Sequence, residues 1–358
     1  MAQAASIRNT DTLSIKATLL IASLFTVMAA ATIAPALPAM QAHFADVENV
    51  EVLVRLVLTL PALFIVIGAP IAGYLIDKLG RKSLLMMAMA VYGVAGTSAF
   101  VLNDLSLILI GRAFLGLSVA GIMTCVNTLI SDYYDGKTRA QILGLQAAFA
   151  GMGGTVFVSL SGALAESNWR TPFLIYTLAF FVLPLVMAIL YEPQKSTPAP
   201  STDDTPARVP TPIGLMIFAY ACFFFSQIVF YIIPTQMPFY LNTLTGATSS
   251  QSGLAIAWMS ICYAFSSSQA GRFGAKFEHL TLVIGAFIIT SMGYMLVALA
   301  QNWVLIIIGL PISGFGLGLL IPMLNVWLAE KTPLAIRGRV FSGVTTSFFL
   351  GQFLSPIV

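Results

Sequence analysis

Charged residues are scarce in this 358-residue sequence, where Asp, Glu, Lys and Arg together make up 9% of the chain. Soluble domains contain about 25% charged residues, so the composition excludes a soluble enzyme and a disordered protein. The net charge of +3 is too small for the basic surface of a nucleic-acid binder. Apolar residues account for 58%, and this proportion indicates a chain that lies within a lipid bilayer.

Histidine and cysteine are also rare. The two histidines, His43 and His279, are far apart, and neither a CxxC nor an HExxH pattern occurs, so we expect no metal and no cofactor. Cys125, Cys222 and Cys262 each lie in a long apolar run. This position favours buried free thiols over disulfides.

Long apolar runs are what the sequence has in abundance. Because a helix needs about 20 apolar residues to cross a bilayer, the sequence predicts eleven spans. They cover residues 17–37, 53–76, 83–102, 105–130, 141–164, 171–190, 213–233, 252–271, 279–300, 303–328 and 340–358. Short turns join them, which favours a helical bundle over a barrel. We therefore expect an all-α membrane protein.

The basic residues fall on one side of these spans. With the N-terminus in the cytoplasm, the cytoplasmic side holds every Lys and Arg except Arg55 and Arg170, which lie outside, and Arg112, which lies within a span. An excess of Lys and Arg marks the cytoplasmic side of a membrane protein. The sequence thus predicts a multi-pass protein of the plasma (inner) membrane with a cytoplasmic N-terminus.

The second half of the sequence repeats the first at an offset of 198 residues. The matches are Gly111 with Gly309, Gly116 with Gly314, Asn127 with Asn325, Asp132 with Glu330, Arg139 with Arg337 and Gly153 with Gly351. Because six spans separate the copies, both insert in the same orientation, as parallel repeats do in some transporter folds. Residues 192–212 are rich in Pro, Ser and Thr, which predicts a flexible cytoplasmic linker.

This repeat divides the chain into an N-terminal six-helix bundle at 1–191, the linker at 192–212 and a C-terminal bundle at 213–358. The offset places Val358 at residue 160 of the first copy, inside its fifth span. We therefore expect two pseudo-symmetric bundles of which the second is incomplete, with eleven spans present and the twelfth missing.

The turn between the second and third spans, residues 73–82, reads GYLIDKLGRK. Gly73 allows close helix approach in lipid, and Gly80 suits a turn that needs a left-handed backbone. Asp77 lies at the C-terminal end of a helix, where the helix dipole disfavours an anion. It therefore needs a compensating partner, and Arg81 is the nearest candidate, with the N-terminus of another helix as the second.

This turn, with the repeat and the linker, resembles the major facilitator superfamily, whose GxLxDxxGRK signature is matched at Gly73, Asp77, Gly80 and Arg81. The resemblance implies two bundles that rock around a central site. It also implies that the aspartate and arginine latch the bundles together on the cytoplasmic side when the cavity faces outward, with Asp77 facing the span that starts near Ser342. The alternative is that the basic residues of the turn serve only as topology charges.

Arg112 lies seven residues into its span, about 10 Å deep at 1.5 Å per residue. A charge near the bilayer centre costs roughly 2.5–3.5 kcal/mol, although an arginine at this depth can also snorkel to the surface. The stretch from Arg112 through Gly116 to Ala120 resembles the fourth-span motif of the family's proton-linked exporters, which implies a role in proton coupling or substrate binding. No Asp or Glu lies within a span, so the alternatives are a carboxylate at a span edge or a uniporter.

The resemblance also implies a central cavity between the halves, and polar and aromatic residues of the spans that line it are candidates to face it. The candidates are Asn127, Gln146, Gln227, Tyr231 and Asn325. Aromatic walls with few charges suit lipophilic or amphipathic compounds. The alternatives are that most aromatics of the seventh span face lipid and that the two asparagines only bond neighbouring helices.

Together these features predict a secondary transporter rather than an enzyme, because a membrane-embedded enzyme would need His, Cys or carboxylates at mid-membrane. We expect it to export a drug-like compound or a secreted metabolite such as a siderophore, with or without proton antiport. The second interpretation is uptake or facilitated diffusion of a small metabolite, and a membrane enzyme or assembly factor is the least favoured. The expected partners are a small organic substrate, the lipid bilayer and, for an antiporter, protons, with no nucleic acid and a monomeric chain.

Overall fold

The computed structural model of the chain describes residues 12–193, 213–333 and 336–357, and in these residues it is almost entirely helical with no β-strand. The α-helices are α1 Leu13–Ala31, α2 Leu37–His43, α3 Val50–Leu79, α4 Arg81–Val101, α5 Leu105–Tyr133, α6 Gly136–Ala165, α7 Leu178–Ile189, α8 Ile213–Thr245, α9 Ser249–Gly274, α10 His279–Ala298, α11 Trp303–Lys331 and α12 Arg337–Leu354. Short 3₁₀ turns occupy Ala34–Ala36 and Thr171–Thr177.

Each of the eleven predicted spans corresponds to one of these helices or to a helix with its adjoining 3₁₀ turn. Within the described ranges, nine segments are long and apolar enough to cross a membrane. The two that fall short, α9 and α12, contain many Ser, Thr and Gly residues. They pack against α6 and α3 respectively, and small residues favour such helix contacts in membranes. The prediction of an all-α membrane protein is confirmed.

The seventh span is longer than the sequence predicts, because α8 continues past residue 233 through Pro234 and Pro238 to Thr245. Proline removes a backbone hydrogen bond and ends most helices in water. Within membranes such breaks are tolerated where side chains or neighbouring helices satisfy the freed carbonyls. In α8 the freed carbonyls are those of Phe230 and Pro234, four residues before each proline.

In α11, a neighbouring helix satisfies a carbonyl that a proline leaves without its helical hydrogen bond. Pro311 cannot donate to the carbonyl of Ile307, which lies four residues earlier in the helix. The indole N–H of Trp258, on α9, donates to this carbonyl at 3.2 Å. The contact therefore joins α9 to α11 and satisfies a carbonyl that water could not reach in a bilayer.

Backbone contacts recur at the repeat offset. A Cβ added to Gly116 on α5 would lie 2.4 Å from the carbonyl oxygen of Pro61 on α3, and one added to Gly314 on α11 would lie 2.5 Å from that of Met259 on α9. Gly314 and Met259 follow Gly116 and Pro61 by 198 residues each. The two halves of the chain thus use the same helix crossing, and in both it requires a residue without a side chain.

The helices of each half pack mainly with one another, and the halves meet through α6 with α9, α3 with α12 and α2 with α8. We call the two ends of the molecule the Trp169 end, where α6 ends, and the Gly80 end, where α3 meets α4. Close to the Trp169 end, a Cβ on Gly162 would lie 2.7 Å from the Ser249 carbonyl oxygen and 3.2 Å from the Cα of Gly253. The halves are therefore in backbone contact near this end.

The glycine crossings lead to a stability prediction. Gly116→Ala and Gly314→Ala should each destabilise the protein by about 1–3 kcal/mol, because the new methyl group can fit only if the backbone of the neighbouring helix moves. The matched control is Gly144→Ala in α6, where nothing lies within 4 Å of the added Cβ and no loss is expected. Thermal unfolding in detergent micelles measures all three, and equal melting temperatures would contradict the prediction.

Candidate functional site

The signature turn is closed by Gly80, which alone separates α3 from α4. Gly80 has φ of +88°, a left-handed conformation that favours glycine. A Cβ at this position would also lie 2.8 Å from the carboxylate of Glu192. Both the backbone conformation and this close neighbour therefore require glycine at the turn.

Glu192 binds the N-terminus of α4. Its two carboxylate oxygens accept hydrogen bonds from the backbone N–H groups of Arg81, at 2.7 Å, and Lys82, at 2.8 Å. An anion is favoured here, because the first N–H groups of a helix lack partners and carry partial positive charge. Glu192 follows α7, so this contact ties the end of α7 to the start of α4. The sequence did not predict this contact, because Glu192 lies at the edge of the predicted linker.

Arg81 forms an ion pair with Asp132 on α5, with 3.0 Å between its Nε and Oδ2 of the carboxylate. The sequence did not point to Asp132, and its suggestion that Arg81 compensates Asp77 stays a prediction. The side chains of Arg81 and Asp132 are 17% and 29% exposed, so the pair is partly shielded from water. It ties the start of α4 to the last turn of α5.

The remaining residues of the predicted latch lie at the surface. Asp77 is exposed in the last turns of α3, and Ser342 is exposed near the start of α12. No atom lies within 4 Å of the position that a Cβ on Gly73 would take. The latch between Asp77 and α12 stays a prediction.

Arg112 is enclosed in the first half of the molecule and is only 1% exposed. Its Nη2 donates to the hydroxyl of Tyr176 at 3.1 Å, and its guanidinium carbon lies 5.1 Å and 5.0 Å from the ring centres of Phe173 and Tyr176. Its Nε and Nη1 have no hydrogen-bond partner. The alternative that Arg112 snorkels to the surface is therefore wrong, because its guanidinium is enclosed by aromatic rings of the Thr171–Thr177 turn.

The candidate cavity residues separate into distinct environments. Asn127 is exposed, and its Oδ1 accepts a hydrogen bond from Nε2 of Gln146 at 3.3 Å, which links α5 to α6. Asn325, its counterpart in the repeat, donates to the Ile321 carbonyl of its own helix at 3.0 Å. Although the sequence matches the two asparagines, the structure gives them different partners.

Gln227 and Tyr231 are one helical turn apart on α8, and both are buried. The Oε1 of Gln227 has no hydrogen-bond partner, and its Cβ lies 3.0 Å from the position of a Cβ on Gly351 of α12. Other aromatic residues of this helix, including Phe218 and Phe225, are exposed. The aromatic residues of α8 therefore lie in different environments.

The comparisons with known proteins agree on one family. A sequence model of the Major Facilitator Superfamily matches residues 19–356. A multidrug resistance efflux pump homologue of Lactococcus lactis is 27% identical over 87% of this chain and 78% of its own length. The bacillibactin exporter of Bacillus subtilis is 24% identical over 90% of this chain and 83% of its own length.

Solved structures share the fold. A bacterial homologue of the human lysosomal transporter Spinster, in an inward-facing and occupied conformation, has a TM-score of 0.80 and 17% identity over 96% of this chain and 80% of its own. A D-xylose-proton symporter has a TM-score of 0.78 and 16% identity, covering 96% of this chain and 89% of its own. At these identities the likeness concerns the fold alone.

The environment of Arg112 leads to a prediction about its role. Arg112→Met should leave the melting temperature unchanged or raise it, because replacing a buried charge by an apolar side chain of similar volume is often neutral or stabilising. Tyr176→Phe should instead cost about 1–3 kcal/mol, since it removes the hydroxyl that accepts from Nη2 of Arg112 and donates to the Met28 carbonyl, and leaves the buried Arg112 without its partner. Thermal unfolding in micelles compares the two variants. A clear loss of stability in Arg112→Met would show that the arginine has a structural role.

Proposed function

Because the chain belongs to the major facilitator superfamily of transporters, we propose that it exports a lipophilic or amphipathic organic compound by alternating access. The chain is a multi-pass membrane transporter and not an enzyme. The observation that carries the proposal is that the halves touch near one end, at Gly162 and Gly253, while Gly73 and its repeat counterpart Gly271 face open space at the other. This asymmetry is what one state of a rocking mechanism requires.

We assign the structure to the state that is open at the Gly80 end. Near the Trp169 end, the guanidinium of Arg55 on α3 lies 5.2 Å from the ring centre of Phe239 on α8, which adds a cation–π contact between the halves. The basic residues collect at the Gly80 end, so this end is the cytoplasmic one in our proposal. The cavity would then face the cytoplasm, with the N-terminus on the same side and the plasma membrane as the location.

The substrate class follows from the chemistry of the spans. The candidate cavity residues are amides and a tyrosine, and the buried charge among the described residues is Arg112. An aromatic and apolar site with a few amide groups suits a lipophilic or amphipathic compound better than a sugar or a phosphate. The relatives named as an efflux pump and a siderophore exporter support the same class.

We propose that Arg112 takes part in coupling transport to protons and does not contact the substrate directly. It faces Phe173 and Tyr176 within the first half and not the second half. The Nε and Nη1 of Arg112 lack hydrogen-bond partners. An anionic group that reached Arg112 during the cycle would therefore accept hydrogen bonds from both nitrogens. In this proposal Arg112→Met inserts normally but transports poorly.

Facilitated diffusion is the second candidate function. In the sequence no Asp or Glu lies within a predicted span, and a proton antiporter generally needs such a titratable group at its cavity. Uptake of a small metabolite by the same rocking motion fits this observation. We propose in either case that the chain acts as a monomer.

Counterflow in membrane vesicles tests the export proposal. Vesicles that contain the protein and are loaded with one of a panel of lipophilic dyes should exchange labelled dye faster than vesicles without it. A pH gradient should drive net movement if transport is coupled to protons, and should have no effect for facilitated diffusion. If no lipophilic compound in the panel moves, the export proposal is wrong.

The latch is tested by Asp77→Asn. Removing this charge should slow transport several-fold and leave membrane insertion normal, because the proposed contact with the start of α12 forms only when the Gly80 end closes. The matched control is Asp46→Asn, an exposed residue near the Trp169 end. Unchanged transport by Asp77→Asn would refute the latch.

A further inference from the structure

We propose that His279 and Glu330 form a proton-sensitive fastening in the second half of the transporter, and that His279 is a positioning residue that makes the conformational cycle depend on pH. The proposal rests on the alternating access described above. It concerns the Gly80 end of the molecule, where His279 at the start of α10 contacts Glu330 at the end of α11.

The fastening is the repeat counterpart of the Arg81–Asp132 ion pair. The Nδ1 of His279 lies 3.3 Å from Oε2 of Glu330, and the Nε of Arg81 lies 3.0 Å from Oδ2 of Asp132. His279 follows Arg81 by 198 residues, and Glu330 follows Asp132 by the same number. The fold thus keeps the contact in both halves but replaces the cation.

This replacement changes the chemistry of the contact. An arginine stays charged at every physiological pH, so the pair in the first half is permanent. A histidine is the side chain whose charge normally changes between about pH 5 and pH 8. A protonated imidazole attracts the Glu330 carboxylate, and a neutral one does not.

The other charged groups around the pair are arginines, lysines and glutamates, residue types that ordinarily keep their charge between about pH 5 and pH 8. They are Arg272 in the last turn of α9, Lys276 after it, Glu278 before α10, Glu330 and Lys331 at the end of α11, and Arg337 and Arg339 at the start of α12. Arg272 donates to the Gln269 side chain, and Arg337 donates to the Ala329 carbonyl. Among the described residues of these turns, His279 is therefore the proton-sensitive group.

His279 lies close to the helices that lead to the contact between the halves. Its ring also lies against the end of α9, with Nε2 3.3 Å from the position of a Cβ on Gly274. Glu330 lies shortly before the turn that leads into α12, and α12 packs against α3 of the first half. Protonation of His279 therefore holds the end of α11, the helix that precedes α12, in the arrangement seen here.

The exposure of the pair sets the size of the effect. The His279 and Glu330 side chains are 21% and 53% exposed, so water and salt weaken their attraction. A pair of this kind changes the ratio of two conformations by about two- to five-fold. Such a change modulates the cycle and does not drive it.

The test measures the conformational ratio without any substrate. Spin labels at Ser83→Cys and Thr345→Cys, two exposed positions on α4 and α12, report the separation of the halves in the full chain in lipid nanodiscs. The three native cysteines are replaced by alanine. Pulsed electron spin resonance should show a two- to five-fold shift in the populations between pH 5 and pH 8. His279→Arg should keep the pH 5 distribution and His279→Gln the pH 8 distribution at both values.

His43→Gln is the matched control, because it removes the other histidine of the chain at the opposite end and should preserve the shift. If His279→Arg fails to insert, Glu330→Gln serves in its place and should also abolish the shift. The proposal is overturned if the unmodified histidine pair gives no shift, or if the shift persists in the His279 and Glu330 variants. Because no substrate is present, neither result depends on whether the dye assay succeeds.

Discussion

The bilayer requires each helix of this protein to satisfy its backbone without water, and most features of the structure follow from that requirement. Most of the long helices run without interruption through glycine, and α3, α8 and α11 also run through proline. Where Pro311 leaves the Ile307 carbonyl without its helical partner, the indole N–H of Trp258 on another helix donates a hydrogen bond to it. Where helices cross at Gly116 and Gly314, backbone meets backbone directly. Helix contacts in lipid depend on such close approach, because apolar side chains gain little by leaving lipid for one another.

The requirement also explains where charges are found. Among the described residues most charged side chains lie near helix ends or in loops, and several of them bind orphan backbone groups there. The two ends of α4 show this well. Glu192 accepts from the first N–H groups of the helix, and Arg170 donates to the Leu102 carbonyl beyond its last turn at 2.6 Å. Arg170 precedes and Glu192 follows the same segment, the 3₁₀ turn with α7. This segment therefore contacts both ends of α4. At each end the charge complements the helix dipole.

The sequence predicted the elements of the fold better than the contacts between them. Eleven spans could be predicted because each is a long apolar run, and the end of α8 was missed because Pro234 ends a helix in water. The Gly80 turn followed from a local motif. The partners of Arg81 and Arg112 could not be predicted in the same way, because Asp132, Glu192 and Tyr176 are distant in sequence. The repeat offset did contain one further signal, since it aligns His279 with Arg81 and Glu330 with Asp132 before any coordinates are known.

A duplicated fold constrains geometry more strongly than chemistry. Crossings that need glycine cannot change without moving a helix, so they recur at the same offset in both halves. A contact between two side chains at a helix end tolerates any pair that can reach across the same distance. Arginine with aspartate and histidine with glutamate both do so here, at 3.0 Å and 3.3 Å. The first half is therefore fastened by a permanent charge and by Glu192, while the second is fastened by a charge that depends on protons. In a transporter whose halves move against each other, the contact in the first half then stays the same at every physiological pH, while the contact in the second half changes with pH.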